Sequence, residues 1–355
     1  MKIQIHTYFY GNNYGALLQS LSFKTYLEKK NLNVEFQSYQ PKKFLFREEI
    51  KPLLKKNPIN IYRGVKRFFK FRNWKKKYIK TNPTDFFVKD KVNSKSMSFY
   101  GSDEIWNFEN PFFGFDPYFF GKSNNSYKCS YAASFGTAAS LIDKNFTISK
   151  ISKLLENFNY ISVRDYSSKK FLKKMCNLES EIVLDPIFLI KDDFDHLIEN
   201  RKNYINKKYC LIYGNFFSKK QTEKIKIFSN ERGLKIISLG YINDFADINL
   251  IDIDPFTFLN IFKNSEYVFT SMFHGIMFSL KYEKVFWYSV DPYRINKLDY
   301  IINLLDLEKR YMDEDNKFDP ELDYFSINSK LNLEIKNSQS YIKKCLNNFT
   351  NNVSK

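Results

Sequence analysis

The residues with the clearest chemical potential lie in one stretch, Glu266-Tyr-Val-Phe-Thr-Ser-Met-Phe-His-Gly-Ile-Met-Phe-Ser-Leu280. It reads as a short buried strand, a tight loop carrying His274, then a new helix. The chain has three histidines, and this one falls where a parallel sheet presents chemistry. A strand's carboxyl end feeding a helix amino end gathers backbone N–H groups and a positive half-charge, which suits an anionic ligand. Gly275 would let the backbone approach that ligand closely. Phe273, Ile276, Met277 and Leu280 recur at i, i+3, i+4 and i+7, so the helix has one core face. The same segment is also compatible with a plain glycine turn and an incidental histidine.

Further small and polar clusters follow predicted strands: Asn13-Tyr14-Gly15, Gly101-Ser102-Asp103, Ser134-Phe135-Gly136, Arg164-Asp165, and Ser271 to Gly275. In an open parallel sheet those ends line one crevice. Arg164 offers a planar fork for a carboxylate or a phosphate, and Arg294 could hold a second anionic group. Each arginine could instead pair with a nearby acid: Arg164 with Asp165 or Asp185, Arg294 with Asp291 or Asp299. Asp103 and Asp165 could orient His274 or a sugar hydroxyl, or simply cap loops. Asn13 to Gly15 could bind phosphate or sugar, or be turn chemistry alone. His6 reads as structural and His196 as a surface residue. The glycine fingerprints of nucleoside triphosphatases and dinucleotide enzymes are missing, no ligand set suggests a catalytic metal, and no cofactor is expected.

These loops need a scaffold. Strand and helix alternate along the 355 residues, which points to an α/β fold with parallel sheets. The length favours two domains. The first Rossmann-like half is expected over residues 1–190 and the second over 191–330. A helix at 331–355, read from Ile335 to Phe349, returns to the first half. The four scattered cysteines read as reduced, buried thiols of a cytoplasmic protein. No stretch reaches the roughly 18 apolar residues of a membrane span, and residues 1–9 lack the features of a secretory signal.

Charge is concentrated. The chain has 56 basic and 39 acidic residues, a net +17. Residues 42–80 hold fifteen Lys/Arg and two Glu, so they contribute +13. Ile61, Val65, Phe68, Phe71, Trp74 and Tyr78 recur there at spacings of three and four, an amphipathic helix with an aromatic stripe. The stripe could pack on the core. Residues 61–80 could also lie peripherally on an anionic membrane surface at its inner face, or meet nucleic-acid phosphates. No nucleic-acid partner is expected, because no binding signature accompanies the charge.

Five blocks, taken together, resemble the polysaccharide pyruvyl transferase family: Asn13-Tyr-Gly-Ala-Leu-Leu-Gln19, Gly101-Ser-Asp-Glu-Ile-Trp-Asn107, Ser130-Tyr-Ala-Ala-Ser-Phe-Gly136, Ile161-Ser-Val-Arg-Asp165 with Val183-Leu-Asp-Pro186, and Phe273-His-Gly275 with Phe278-Ser279. The resemblance implies a glycosyltransferase-B-like fold of two Rossmann-like domains facing across a cleft. It implies transfer of an enolpyruvyl-derived group from phosphoenolpyruvate to two hydroxyls of a sugar, forming a pyruvate ketal and releasing phosphate. The acceptor would be a sugar in a surface polysaccharide or lipid-linked oligosaccharide of the cell envelope. The family's histidine falls on His274, acting as acid, base or stabiliser of the departing phosphate. Its arginine falls on Arg164, and a donor-binding basic residue falls on Arg294. Phe273, Gly275 and Ser271 would stand at the donor. The chain departs from the family where Ser271 and Met272 replace Asp/Asn and Ser, and where Ile187 replaces Thr; these changes bear on donor contacts and acceptor choice. A nucleotide-sugar glycosyltransferase of the same architecture, and a scaffold without chemistry, are the competing readings.

Overall fold

The computed structural model describes residues 1–39, 41, 46, 58–80, 96–110, 114–122, 126–140, 145–201, 205–290, 297–313 and 317–353. Its first parallel sheet has the order β2-β1-β3-β4, built from β1 (Lys2–His6), β2 (Asn33–Phe36), β3 (Met97–Tyr100) and β4 (Tyr127–Ser130). Parallel bridges Cys129↔Tyr160 and Ala133↔Val163 continue it toward β5 (Ser162–Val163), which pairs with β6 (Glu181–Ile182). The second sheet is also parallel, with the order β11-β10-β7-β8-β9. Its strands are β7 (Tyr209–Tyr213), β8 (Lys235–Leu239), β9 (Ile248–Leu250), β10 (Tyr267–Thr270) and β11 (Val285–Tyr288). Strands such as β7, buried at every position, show the continuous apolar runs that a sheet covered on both faces requires.

Between β1 and β2 runs α1 (Tyr14–Glu28), with Asn13 at its N-cap accepting from the Ala16 N–H at 3.2 Å. This helix is buried almost all round because it is wedged between its own sheet and the second domain. The basic segment forms α2 (Pro58–Trp74), continued by a π-helical turn over Lys75–Ile79. The first domain also contains α3 (Asn145–Leu155) and α4 (Tyr166–Phe171). Next come α5 (Asp195–Glu199), α6 (Lys219–Glu231), α7 (Pro255–Lys263) and α8 (Phe273–Lys281). The last two are α9 (Asp299–Leu305) and α10 (Tyr324–Val353).

Two expectations shift. The final helix starts at Tyr324 rather than Ile335, and its first residue already serves the second domain: the Tyr324 hydroxyl donates to the Ser279 carbonyl at 3.1 Å. Farther along, Ser338 Oγ accepts from the Leu184 N–H at 2.9 Å and the Tyr341 hydroxyl donates to the Ser130 carbonyl at 2.8 Å, both in the first domain. One helix thus spans the pair. The second shift is β9, too short to leave a periodic signal. The four cysteines are free and buried.

A single apolar cluster runs through both domains, from Ile5, Phe9 and Leu17 to Leu211, Phe258 and Ile276. The Tyr14 ring stacks on Phe258 at 4.4 Å and its hydroxyl donates to the Ile253 carbonyl at 3.0 Å. This shared core, rather than a linker, fixes how the two sheets face each other across the cleft.

Candidate active site

The strand ends of both sheets open onto a cavity of about 650 Å³. His274 enters it from the first turn of α8. That turn is close to β10: a Cβ on Gly275 would fall 1.9 Å from Thr270 Oγ1. Gly275 N–H donates to the Met272 carbonyl at 2.9 Å, and Gly275 is absent from the cavity wall. Its glycine therefore serves helix-on-strand packing. From the opposite domain, Gly15 meets His274 in the same way. A Cβ there would lie 2.3 Å from His274 Nδ1, so only glycine lets the two domains close over the ring.

Asp185 is the pivot of the site. It caps the 3-10 turn Pro186–Phe188, with Oδ1 accepting from the Ile187 N–H at 3.2 Å. Oδ2 is left facing an arginine and a histidine: Arg164 Nη1 at 3.6 Å and His274 Nε2 at 3.5 Å. Both distances are electrostatic contacts rather than hydrogen bonds. Arg164, buried after β5, also donates from Nη2 to Asp103 Oδ1 at 3.3 Å. Its guanidinium lies over the Phe273 ring, 4.2 Å from the centroid, a cation–π contact that crosses between domains. The pairing with Asp185 is thus real, but buried inside the cleft. Arg164 Nε and Nη1, Asp185 Oδ2 and His274 Nε2 are all buried without a hydrogen bond. Each such atom costs roughly 1–3 kcal/mol, and a multiply charged ligand could satisfy several at once.

Lys297, Glu104 and Arg67 also line the wall. Lys297, just before α9, makes a close ion pair with Glu104. Burial lowers its pKa to about 8, against the opposing pull of Asp103. Arg67 of α2 donates to the Asn12 carbonyl at 2.7 Å and the Gly240 carbonyl at 3.1 Å. Nothing local distinguishes Lys297 among 56 Lys and Arg. Arg67 was hidden because its basic helix read as a core-packing, membrane or nucleic-acid surface rather than as part of the cleft.

Of the residues singled out in the sequence, Asn13, Tyr14, Asp103, Arg164, Ser271, Met272, Phe273, His274 and Ile276 line this cavity. Arg294 lies outside the described residues. The others do structural work nearby. Gly101 (φ +117) has no room for a Cβ, which would meet the Tyr131 carbonyl oxygen at 2.2 Å. The buried Ser102 hydroxyl donates to Gln19. Ser134 Oγ accepts from the Gly136 N–H at 3.0 Å, and the Phe135 N–H donates to Ser168 Oγ at 2.9 Å. Asp165 caps α4 through the Ser168 N–H at 2.7 Å, and burial raises its pKa. His6 is held by Ser98 Oγ at 3.1 Å and the Tyr118 hydroxyl at 3.0 Å. Met272 takes the N-cap position of α8 without a side-chain bond, while its sulfur receives the Tyr241 hydroxyl at 3.5 Å. Among the described residues no group of three or more His, Cys, Asp or Glu is arranged to hold a metal ion.

Two parallel-sheet domains facing across a charged cleft make a glycosyltransferase-B-like architecture. The profile of the family "Polysaccharide pyruvyl transferase" matches residues 13–290. The chain belongs to that family and is a transferase of it. No curated protein matches it. Solved structures similar to it include S. aureus MnaA with UDP, at 15% identity, covering 92% of this chain and 94% of that chain, TM-score 0.44. The UDP-GlcNAc 2-epimerase from Neisseria meningitidis bound to UDP-GlcNAc is 10% identical, with 98% and 99% covered and a TM-score of 0.46. The E. coli heptosyltransferase WaaC with ADP-2-deoxy-2-fluoro heptose is 9% identical, with 87% and 99% covered and a TM-score of 0.37.

Proposed function

We propose that the cavity transfers the enolpyruvyl-derived group of phosphoenolpyruvate to two hydroxyls of a sugar in a surface or lipid-linked glycan. The carrying observation is the convergence of Arg164 and His274 on one buried carboxylate oxygen of Asp185. In the reaction the donor's methylene carbon takes a proton and its C2 takes the first hydroxyl oxygen. The C2–O bond to phosphate then breaks, and the second hydroxyl closes the ketal. Of the two hydroxyl protons, one ends on the new methyl group and the other on inorganic phosphate.

The residues supply what these steps need. Arg164, Lys297 and Arg67 are cations, and Asp103, Glu104 and Asp185 stand among them as fixed acids. Three charges of each sign make a rigid cradle that is close to neutral. A donor carrying a carboxylate and a phosphate therefore gains by bringing a proton into the site, and His274 is the group that can hold and pass it. Asp103 and Glu104 offer acceptors for sugar hydroxyls. The donor serves as substrate, and no further cofactor is invoked.

The test is incubation with phosphoenolpyruvate and a panel of glycosides. Phosphate release and a ketal-bearing product, both lost in His274→Ala, are the expected result. Thermal stabilisation by a nucleotide diphosphate, with none by phosphoenolpyruvate and no phosphate release, would overturn the reading in favour of a glycosyltransferase.

A further inference from the structure

The basic helix has two faces with different partners. Its inner face is fully committed. Phe71, Trp74 and Ile79 are buried, and Phe71 and Trp74 meet Tyr14 and Phe256, one from each domain, at 4.9 and 5.3 Å. Arg67 bonds carbonyls of both domains at the cavity. Arg63 donates to the Asn249 carbonyl, Lys75 to the Tyr10 carbonyl, and Lys66 pairs with Asp252 at 3.1 Å. Of the aromatic stripe, Phe71, Trp74 and Tyr78 thus pack on the core, whereas Val65 faces out.

Among the described residues, the outer face is left exposed. Tyr62 is 68% exposed, Val65 36% and Phe69 52%. Arg72, Lys76, Lys77 and Lys80 are exposed as well. The positions 62, 65, 69, 72 and 76 follow helical spacing, so the apolar trio and the charges form one continuous stripe. Residues 58–80 hold nine Lys and Arg and no acid, and none of these four cations has a carboxylate partner among the described residues.

We propose that this face docks the protein on an anionic lipid bilayer. Tyr62, Val65 and Phe69 would enter the interfacial zone, and Arg72, Lys76, Lys77 and Lys80 would meet lipid phosphates. Phosphates of a nucleic acid would satisfy the cations but leave Val65 and Phe69 without a purpose. No helix among the described residues is long and apolar enough to cross a membrane, so the contact is a surface one. Because Arg67 on the opposite face lines the cavity, docking sets the cavity beside the membrane. That last consequence serves a lipid-linked acceptor and rests on the proposed function; the docking itself does not.

Co-sedimentation of the full chain with vesicles tests this. The protein is expected to pellet with phosphatidylcholine/phosphatidylglycerol vesicles, to be released by salt, and to ignore phosphatidylcholine alone. Tyr62→Ser/Phe69→Ser, which removes the interfacial side chains, and Arg72→Glu/Lys76→Glu/Lys77→Glu, which reverses the charge, should each lower partitioning at least about tenfold. Both variants should keep the wild-type melting temperature and phosphate release on a water-soluble glycoside. Wild-type partitioning by either correctly folded variant, or equal binding to neutral and anionic vesicles, overturns the proposal. So does binding of a duplex oligonucleotide without vesicle binding. Vesicle binding without any phosphate release would instead count against the donor chemistry.

Discussion

Two histidines lie inside this molecule in opposite circumstances. His6, in the first sheet, has both ring nitrogens within hydrogen-bond distance of hydroxyls and stacks on Tyr100 at 4.2 Å. Burial pushes its pKa down to about 3. His274 is nearly as buried, yet its Nε2 has no hydrogen bond and faces Asp185 beside an arginine. Burial alone therefore does not mark a site. What marks it is a set of charged groups held in place while their remaining valences stay open.

The strongest way to break this contrast is to remove each ring. His274→Ala should lower phosphate release by about 10²–10⁴-fold while leaving the fold intact. A variant with near wild-type turnover would move the chemistry elsewhere. Arg164→Ala should follow, with a loss of about 10²–10³ in kcat/KM for the donor, because two carboxylates lose their partner. Arg164→Lys should restore little of it. One ammonium cannot hold Asp103, approach Asp185 and cover the Phe273 ring together.

Gly15→Ala sharpens the geometry. The new methyl would collide with His274 at Nδ1, so the ring must shift, and a displacement of about 1 Å can cost up to about 10²-fold in rate. The decisive measurement is a double-mutant cycle. In a His274→Gly background, which removes Nδ1, Cγ and Cβ together, Gly15→Ala should cost almost nothing more. An undiminished penalty there would mean that Gly15 acts on the fold of α1 rather than on the imidazole.

Lys297 adds a pH signature. Its ammonium is lost as pH rises through about 8, and with it a cation of the cavity wall that the proposed reaction uses to hold the donor. The donor's kcat/KM should therefore fall above about pH 8, and Lys297→Arg, which stays charged, should flatten that limb. An unchanged limb in the variant would assign the titration to another group.

How much of this was legible in the chain varied with the range of the contact. His274 and Arg164 could be found because each sits in a loop directly after a strand, and strand ends share a crevice. Asp185 stood in view as the Asp-Pro stop after Val183 and Leu184, but its meeting with His274 is a long-range contact that exists only after the second domain closes. The same logic also pointed to Ser134, Gly136 and Gly101, which are not among the residues lining the cavity. Small polar residues after strands suit ligand contact, and equally suit capping and close packing, which is what they do here. In α2 the spacing identified the helix, but an apolar stripe on each face made Val65 look inward.

The smallest effect on the site, and the cleanest test of the contrast, concerns His6. In the folded protein it stays neutral down to about pH 3, whereas an unfolded histidine takes a proton below its ordinary value of 6.5. Between those values the unfolded state binds more protons, so its stabilising neutrality is complete above pH 6.5 and is lost as pH falls. Each pH unit below 6.5 should cost on the order of 1 kcal/mol from this residue. His6→Asn should be less stable at pH 7, having lost ring contacts, yet its stability should decline less steeply between pH 6.5 and 5. Denaturant unfolding at several pH values measures both slopes. Equal slopes would mean that His6 titrates in the fold much as it does outside it, and the division between a closed histidine and an open one would fail.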